Sequence, residues 1–457
     1  MNRDTPRASD PFGSRSGEDG DRFPRPLVGV VADDITGAGD IGVMFAKHGY
    51  AVRIFGAETD LDVLHGRLVG RRTDVIIIDT DSRMDQPSVA YEKVRRATAA
   101  LIRAGCGLFW KKTCSVFRGN VGPEFDALFD ELNHRFALAV AAFPKNGRIT
   151  RGGVHYVHGR LLAESEFARD PVHPRTESNL VVDLQRQTHR RVGLIPLAVI
   201  RRGPQAIRSA VAGAQVTGVA YALCDAETQE DLAQIARAAA RERVLLGSSA
   251  LAEELPAVWE PVVPFEPLAG LRLDDANGVL AIAGSVMPQT RAQVEAAAAA
   301  GARVFTLASE DALRDPTGAA ERLARAAADG LRGGANVVVR SENRPDAVDA
   351  ARALGASLGM DGVAVSKRIS TVLARVARLA LDATGARRLI TLGGDTSAAV
   401  CRELGIDETV VLAEIAPGLP SSLAPGERPL LLVLKSGSFG GPEFVNDAIA
   451  HLSALGR

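Results

Sequence analysis

The sequence predicts an α/β protein of two domains, each a doubly wound, largely parallel sheet flanked by helices, with a ligand cleft between them. Two observations support this prediction. Short runs rich in leucine or β-branched residues alternate along the chain with alanine-rich amphipathic stretches, which is typical of parallel sheets with helical crossovers. The chain also has 457 residues, which is more than one hydrophobic core usually serves.

Predicted strands follow one another in chain order, most of them leading into a polar or glycine-containing loop and then a helix. Those of the first half are LVGVVA, DVIIID, GLFWKK and FALAVAAFP, and those of the second half are VLAIAG, ARVFTL, NVVVR, RRLITL and PLLLVL. The segment 143–180 is long and irregular, and its GGVHYVHGRL stretch alternates like a strand or hairpin. A long loop of this kind inside a compact domain is often a lid or an interface.

The domain boundary is predicted between residues 257 and 278, where prolines cluster and the hydrophobic periodicity lapses. We therefore expect a first domain over residues 27–260 and a second over residues 275–457. Residues 1–26 are rich in Arg, Asp, Gly, Ser and Pro, so we predict that they form a disordered tail.

Composition narrows the class of partner. The 54 basic residues balance the 55 acidic ones, so the net charge favours neither nucleic acid nor a membrane surface. No run is apolar enough to span a bilayer, and no signal peptide is visible. The four cysteines form no CxxC pair, which predicts reduced thiols in a cytoplasmic protein without a protein metal site. We expect a small-molecule substrate and leave a homodimer open.

Polar side chains follow three predicted strands of the first half. Asp33 and Asp34 come after LVGVVA, and paired carboxylates suit polyol hydroxyls, Mg²⁺ or a general base. Alternatively, Asp34 or Thr36 serves as the N-cap of the following helix. The loops after the next two strands carry cations suited to a carboxylate or phosphate. These two clusters contain Asp79, Asp81, Ser82 and Arg83, and then Lys111, Lys112, Ser115, Arg118 and Asn120.

Three glycine-rich loops follow predicted strands of the second half, namely AGS, LGGDTS and KSGSFGG. Glycine lets the backbone approach a phosphate closely, and a following helix offers free N–H groups and a positive dipole end. Lys435 adds a cation to the third loop, which also contains Gly440. Each loop alone could simply turn the chain, but three in one half favour phosphate binding.

The stretch DDITGAGD raises a second interpretation. Its GAGD, ending at Asp40, spells the anion-hole motif of ribokinase-type sugar kinases, whose aspartate is the catalytic base. That motif lies late in ribokinase-type chains, whereas here it lies at the start. A nicotinamide oxidoreductase would need a GxGxxG loop after an early strand, which this sequence lacks. A non-catalytic protein that binds sugar acid or nucleotide stays open.

The residues resemble one family, the four-carbon acid sugar kinases, formerly the domain of unknown function DUF1537. The family's ADD-[LF]-TGA opening matches ADDITGA, and its KK-x-DST-x-RGN stretch is similar to KKTCSVFRGN. Its AFP-x-x-GR-x-T and E-F-x-x-D-P motifs are matched within residues 142–178. In the second half GS, GG-[ED]-T, PG-x-P and K-S-G-x-F-G all have counterparts in order, so the resemblance runs from about residue 27 to 447.

The resemblance implies an ATP-dependent kinase that phosphorylates the terminal C4 hydroxyl of a four-carbon sugar acid such as D-threonate, D-erythronate or 3-oxo-tetronate. Its first domain would bind the acid and its second the nucleotide. By the matching motifs, the resemblance implies that Asp33, Asp34, Arg118 and Asn120 bind the substrate. It implies that ATP is bound by Ser285, Gly393, Gly394, Asp395, Thr396 and Gly437.

We expect Arg118, helped by Lys112, to hold the acid's carboxylate and Asp34 or Asp33 to orient or deprotonate the C4 hydroxyl. Asp81, Arg83 and Ser115 complete the predicted substrate set, while Lys435 and Gly440 complete the nucleotide set. Mg²⁺ would bridge the ATP phosphates through water rather than sit in a protein cage. One departure stands out, because this chain has Cys-Ser-Val at 114–116 where the family commonly has Asp-Ser-Thr.

Overall fold

The first strand shows why the apolar runs become inner strands. All five residues of β1 (Val28–Ala32) are buried, and the strand pairs with a parallel neighbour on each side. A strand covered on both faces exposes no polar side, so its sequence is a continuous apolar run.

A computed structural model describes residues 22–170, 173–273 and 275–455. Within these ranges one sheet has fifteen strands and a second has three. Of the predicted disordered tail over residues 1–26, residues 1–21 lie outside the described residues.

The first half continues with ten further strands and eight α-helices among its described residues. The strands are β2 (Val52–Phe55), β3 (Val75–Asp79), β4 (Leu108–Lys112), β5 (Ala137–Val140), β6 (Arg148–Arg151), β7 (Val154–Val157), β8 (Arg160–Leu161), β9 (Arg191–Ile195), β10 (Val219–Cys224) and β11 (Val244–Gly247). The helices are α1 (Ile35–Ala46), α2 (Leu64–Leu68), α3 (Pro87–Arg103), α4 (Val121–Leu132), α5 (Leu180–Gln185), α6 (Leu197–Ile200), α7 (Pro204–Val216) and α8 (Gln229–Ala239).

The second half contributes seven strands and seven helices to the described ranges. The strands are β12 (Leu280–Ala283), β13 (Arg303–Leu307), β14 (Val337–Ser341), β15 (Arg388–Leu392), β16 (Glu408–Ala416), β17 (Leu419–Ala424) and β18 (Leu430–Lys435). The helices are α9 (Pro288–Ala299), α10 (Ser309–Arg314), α11 (Pro316–Arg332), α12 (Pro345–Ser357), α13 (Gly362–Thr384), α14 (Gly394–Leu404) and α15 (Phe444–Ala454).

Each half builds a parallel sheet, and a hairpin joins the two sheets. The first-half order is β2-β3-β1-β4-β11-β5-β10-β9 and the second-half order is β13-β14-β12-β15-β18. Between them β17 pairs antiparallel with β18 and β16, and β16 pairs antiparallel with β2. The predicted fold class is confirmed, and the joining hairpin makes the two sheets continuous.

The halves also share apolar packing. Cys401, Val411 and Leu434 of the second half belong to the same buried cluster as Ile41 and Met44 of α1. Helix α1 therefore packs against both halves. The residues that precede it, at its N-terminus, lie in the region where the two halves meet. In the described ranges no helix has the combined length and apolar character needed to cross a membrane.

Candidate active site

The polar loops of the first half meet at one edge of the sheet. Strands β3, β1 and β4 are parallel neighbours, and Ala32 at the end of β1 is in register with Asp79 and Lys112. The loops after these strands therefore start side by side, where parallel sheets bind their ligands. The carbonyl oxygen of Asp33 accepts a hydrogen bond from the backbone N–H of Arg83 at 3.3 Å, which joins the first two loops.

Arg83 holds the paired carboxylates together. Its Nε and Nη2 donate to the two carboxylate oxygens of Asp33 at 2.8 and 2.9 Å, and its Nη1 donates to Oδ2 of Asp34 at 2.6 Å. Burial alone would raise the pKa of Asp33, but the charges of Arg83, Lys111 and Lys112 outweigh it and lower that pKa to about 2. Asp33 is therefore ionised and fully engaged by Arg83.

Asp34 both caps a helix and faces a cavity. Its Oδ1 accepts a hydrogen bond from the N–H of Gly37 at 2.7 Å, which makes it the N-cap of α1. Its Oδ2 accepts from the hydroxyl of Thr36 at 2.9 Å in addition to Arg83. Asp34 lines the cavity between the halves, whereas Asp33 does not. The capping interpretation is thus correct for Asp34, and it leaves the carboxylate within reach of a ligand.

Asp40 lies deeper along α1 in a closed polar network. The Nζ of Lys112 is 3.2 Å from its Oδ2, and the hydroxyl of Ser249 donates to its Oδ1 at 2.7 Å. Burial raises the pKa of Asp40, although Lys112 and Ser249 oppose the change. A Cβ atom added to Gly418, in the turn between β16 and β17, would lie 2.4 Å from the same Oδ1. The joining hairpin therefore closes over this carboxylate.

The third polar loop brings Arg118 and Ser115 to the cavity wall together with Cys114. Arg118 donates through Nη1 to Oδ2 of Asp170 at 3.0 Å, and its Nε lies 3.4 Å from the sulfur of Cys114. Burial would raise the pKa of Cys114, but Arg118 and Arg83 outweigh it and lower that pKa. The departure from the family pattern at residue 114 thus lies inside the cavity.

Besides Asp33, two further predicted substrate residues, Asn120 and Asp81, are not among the described residues that line the cavity. The side-chain amide of Asn120 donates to the backbone carbonyls of Ser82 and Asp85 at 3.1 and 2.9 Å. Asp81 accepts a hydrogen bond from Nη2 of Arg402 at 3.0 Å. Asn120 therefore fixes the loop after β3, and Asp81 ties that loop to the second half.

The three glycine-rich loops of the second half also converge. They follow β12, β15 and β18, which are parallel neighbours with their ends in register. A Cβ atom on Gly284 would lie 2.2 Å from the hydroxyl of Thr396, and one on Gly437 would lie 2.3 Å from the hydroxyl of Ser285. Gly393 has a φ of 127° and opens α14, which has no side-chain cap. Only glycine permits this approach, and the first N–H groups of α14 have no side-chain acceptor.

Lys435 is a buried cation at the end of β18. Its ammonium group donates to the backbone carbonyls of Ser436 and Gly437 at 2.7 and 3.1 Å, and no salt bridge joins it to a carboxylate of the described residues. Burial lowers the pKa of Lys435 to about 7. The rest of the loop is held by Gln293, whose amide donates to three of its backbone carbonyls, including that of Gly440 at 3.1 Å.

The two sets of loops meet across the cleft. A Cβ atom on Gly394 would lie 3.3 Å from Oδ2 of Asp34, so the start of α14 lies beside that carboxylate. Burial and the nearby charge of Asp81 both raise the pKa of Asp395 in the first turn of that helix. A ligand on the first-half loops would therefore lie within a few ångströms of one on the second-half loops.

Comparison with known proteins identifies the family. A family model described as a sugar-binding N-terminal domain matches residues 28–255, and one described as a nucleotide-binding C-terminal domain matches residues 280–445. A 3-oxo-tetronate kinase of Pseudomonas fluorescens is 34% identical over 440 residues, which cover 94% of this chain and 98% of the relative. The chain belongs to the four-carbon acid sugar kinase family. The predicted resemblance is confirmed, and the protein is a kinase of this family.

A further relative and two solved structures are similar to this chain over most of its length. A D-erythronate kinase of Heliobacterium modesticaldum is 35% identical over 395 residues, covering 85% of this chain and 88% of the relative. A crystal structure from Salmonella typhimurium LT2 superimposes with a TM-score of 0.76 at 27% identity, covering 92% of this chain and 98% of its own. A DUF1537 structure from Haemophilus influenzae gives a TM-score of 0.68 at 30% identity, covering 94% and 100%.

The structure of this kinase adds Arg148 and Phe439 to the cavity, neither of which was among the predicted site residues. Arg148 opens β6 and is 2% exposed. Its guanidinium carbon lies 5.1 Å from the ring centroid of Phe439, so it crosses from the first half to the third glycine-rich loop. The sequence carried one signal for Arg148, which is the arginine of the GR pair in the AFP-x-x-GR-x-T motif. An arginine beside a glycine turn did not by itself distinguish a site residue from a surface one.

The structure thus brings together part of the predicted site. Five predicted residues line the cavity, namely Asp34, Arg83, Lys112, Ser115 and Arg118. In the part of the chain that the structure describes, no group of three His, Cys, Asp or Glu side chains is arranged to hold a metal ion.

Proposed function

We propose that the protein is an ATP-dependent kinase that transfers the γ-phosphoryl group to the terminal C4 hydroxyl of a four-carbon sugar acid, such as D-threonate, D-erythronate or 3-oxo-tetronate. One observation carries the proposal. The start of α14, in the middle glycine-rich loop, lies beside the carboxylate of Asp34 across the cleft, since a Cβ added to Gly394 would lie 3.3 Å from Oδ2 of Asp34.

The nucleotide half of the proposal rests on shape and charge. Backbone atoms at Gly437 and Gly393 lie where a side chain would collide or be strained, which is the arrangement that lets a loop wrap a phosphate. Lys435 is a buried cation whose partners among the described residues are carbonyl oxygens, so a phosphate would provide the missing negative charge. We assign ATP to these loops and Lys435 to its phosphates.

Mg²⁺ bound to those phosphates would supply charge neutralisation as the phosphoryl group leaves. Asp395, in the first turn of α14, is the carboxylate that we assign to it, through water. Phosphoryl transfer otherwise demands positioning and electrostatic stabilisation from the protein.

On the acid side we assign Asp34 to the C4 hydroxyl, which it would orient and whose proton it would accept. Arg83 fixes this carboxylate through a 2.6 Å hydrogen bond, so its position is set before the substrate arrives. Asp33 would act through Arg83 rather than on the substrate, since both of its oxygens already accept from that guanidinium.

A second candidate for the base is Asp40, the aspartate of the ribokinase-like GAGD. It lines the same cavity and has a pKa raised by burial, which is a property of many general bases. The turn at Gly418 closes over this carboxylate, which also interacts with Lys112 and Ser249, so we assign Asp40 a positioning role. Substitution of each aspartate distinguishes the two assignments.

The proposal is tested by measuring ADP formation with ATP, Mg²⁺ and a panel of D- and L-threonate, D- and L-erythronate and the 3-oxo-tetronates. We expect turnover with at least one acid and none above background without an acid. Absence of turnover across the panel would contradict the proposal. Calorimetric titration that detected acid binding but no ATP binding would favour a sugar-acid sensor instead.

A further inference from the structure

One cation in the cavity, Arg148, forms no salt bridge with a carboxylate of the described residues. Three other cations line the cavity, and each is paired: Arg83 with Asp33, Lys112 with Asp40, and Arg118 with Asp170. These three positive charges are already balanced within the protein. The sequence predicts Arg118 as the ligand of the substrate carboxylate. Because Arg118 is already paired, it is a weaker candidate for this role than Arg148.

The unpaired edge of Arg148 has the geometry of a carboxylate receptor. Its Nη1 donates to the backbone carbonyl of Asn146, whereas its Nε and Nη2, both buried, have no hydrogen-bond partner in the described part of the chain. Nε and Nη2 share one edge of the planar guanidinium, and their two N–H bonds match the two oxygens of a carboxylate. Asp40 and Glu166 act on the charge of Arg148 without an ion pair among the described residues, and burial still lowers its pKa. An anion at this edge would therefore stabilise the buried cation.

The surroundings of Arg148 orient it toward the cleft. The guanidinium stacks on Phe439, whose ring meets that of Phe143 edge-on at 6.1 Å between centroids. Phe439 belongs to the glycine-rich loop that begins beside Lys435, so Arg148 lies between the first-half cavity and the loop assigned to ATP. An anion on Arg148 would be held at the junction of the two halves.

We propose that Arg148 binds the carboxylate of the four-carbon acid through Nε and Nη2, and that this contact makes the enzyme select acids over neutral polyols of the same length. The inference rests on the proposed function for the identity of the substrate. It assigns Arg118 and Lys112 to positioning, through Asp170 and Asp40, rather than to direct binding of the carboxylate.

The test compares a four-carbon acid with the tetritol of the same configuration, which has a hydroxymethyl group in place of the carboxylate. Binding to the purified protein is measured by calorimetric titration without ATP, for wild type, Arg148→Gln and Arg148→Lys. Arg151→Gln is the matched control, because Arg151 lies on the same strand with a side chain that is 61% exposed and pairs with Glu227.

We expect wild type to bind the acid roughly 100-fold or more tightly than the tetritol, as a buried charge-assisted bidentate contact would give. Arg148→Gln should lose most of this ratio while its affinity for the tetritol is unchanged. Arg148→Lys should keep part of it, since lysine keeps the charge but not the fork, and Arg151→Gln should match wild type. The conservative lysine variant and unchanged tetritol binding distinguish lost recognition from misfolding.

An unchanged acid-to-tetritol ratio in Arg148→Gln, or no preference for the acid in wild type, would overturn the inference. The proposed function fails separately. If no acid is phosphorylated but the ratio still falls in Arg148→Gln, the kinase assignment is wrong and the carboxylate site stands. If turnover is observed and the ratio does not depend on Arg148, the function stands and the site is wrong.

Discussion

Replacing Arg83 by glutamine should destabilise the protein as well as inactivate it. The guanidinium of Arg83 makes three charge-assisted hydrogen bonds of 2.6 to 2.9 Å to two carboxylates, Asp33 and Asp34. Both aspartates are buried, at 1% and 9% exposed. The variant Arg83→Gln leaves two adjacent carboxylates facing each other with one amide between them.

The loss can be estimated in two ways, of which the second covers both carboxylates. Lowering the pKa of Asp33 from 3.8 to about 2 corresponds to about 2 kcal/mol of stability at neutral pH, at about 1.36 kcal/mol per pKa unit. Removing one partner of a buried ion pair typically costs about 3–5 kcal/mol. The second figure includes the contact with Asp34, so we expect a loss of about 3–5 kcal/mol in the free energy of unfolding.

The sign of the pH dependence follows from the direction of the pKa change. A lowered pKa in the folded state stabilises wild type above the unfolded pKa of 3.8, and this contribution is lost as the pH falls toward 2. Without Arg83 the burial of Asp33 favours its protonated form. The stability difference between wild type and variant should therefore be largest near pH 7 and smaller near pH 4.

Urea denaturation followed by tryptophan fluorescence measures this difference in the relevant half. The two tryptophans of the chain are Trp110 and Trp259, both buried, and Trp110 lies on β4 beside β1. Arg103→Gln is the control, because its ion pair with Asp62 is exposed and should contribute less than about 1 kcal/mol. If Arg83→Gln lost less than about 1 kcal/mol in the free energy of unfolding, or if its loss grew from pH 7 to pH 4, the proposed role of Arg83 would be wrong.

Three further outcomes follow from the same geometry. Asp34→Asn should keep the helix cap, because asparagine caps as well as aspartate, but it should lower kcat by about 100-fold or more. Asp40→Asn should lower kcat less, and equal kcat values of the two variants in steady-state assays would contradict the assignment of the base. ATP affinity should fall as the pH rises through about 7, where Lys435 loses its proton. The variant Lys435→Met should bind ATP roughly 10- to 100-fold more weakly, and calorimetric titrations should show no such dependence of its affinity on pH. A pH dependence retained in the variant would assign it to another group. Gly437→Ala should raise the KM for ATP, because its Cβ would lie 2.3 Å from the hydroxyl of Ser285; a KM unchanged in steady-state assays would exclude this loop from the nucleotide site.

The sequence was informative wherever local pattern determines structure. Continuous apolar runs predicted buried parallel strands, as β1 illustrates, and polar residues directly after them predicted loops on one edge of the sheet. The joining hairpin was not predicted. Strands β16 and β17 meet at a Pro417-Gly418 turn, and their place between the two parallel sheets depends on pairing with β2, which lies some 350 residues earlier in the chain.

Side-chain pairing was the second feature beyond the reach of the sequence. Nothing in the chain around Arg118 indicates that Asp170 neutralises it, or that Arg148 is left with two unpaired nitrogens. Charge balance within a cavity depends on contacts between distant segments, so the residue types predicted an anion site without identifying which cation is available for the anion.

The position of the transferred phosphate is the most direct test of the proposed kinase reaction at the C4 hydroxyl. Phosphorus NMR of the reaction of ATP and Mg²⁺ with an accepted four-carbon acid should detect one new phosphomonoester, formed in equal amount with ADP and coupled to the two protons on C4. This result follows if the carboxylate is bound on one side of the cavity and the far hydroxyl meets Asp34 beside the start of α14. ADP formed without a phosphoester, or a phosphate on C2 or C3, would contradict it.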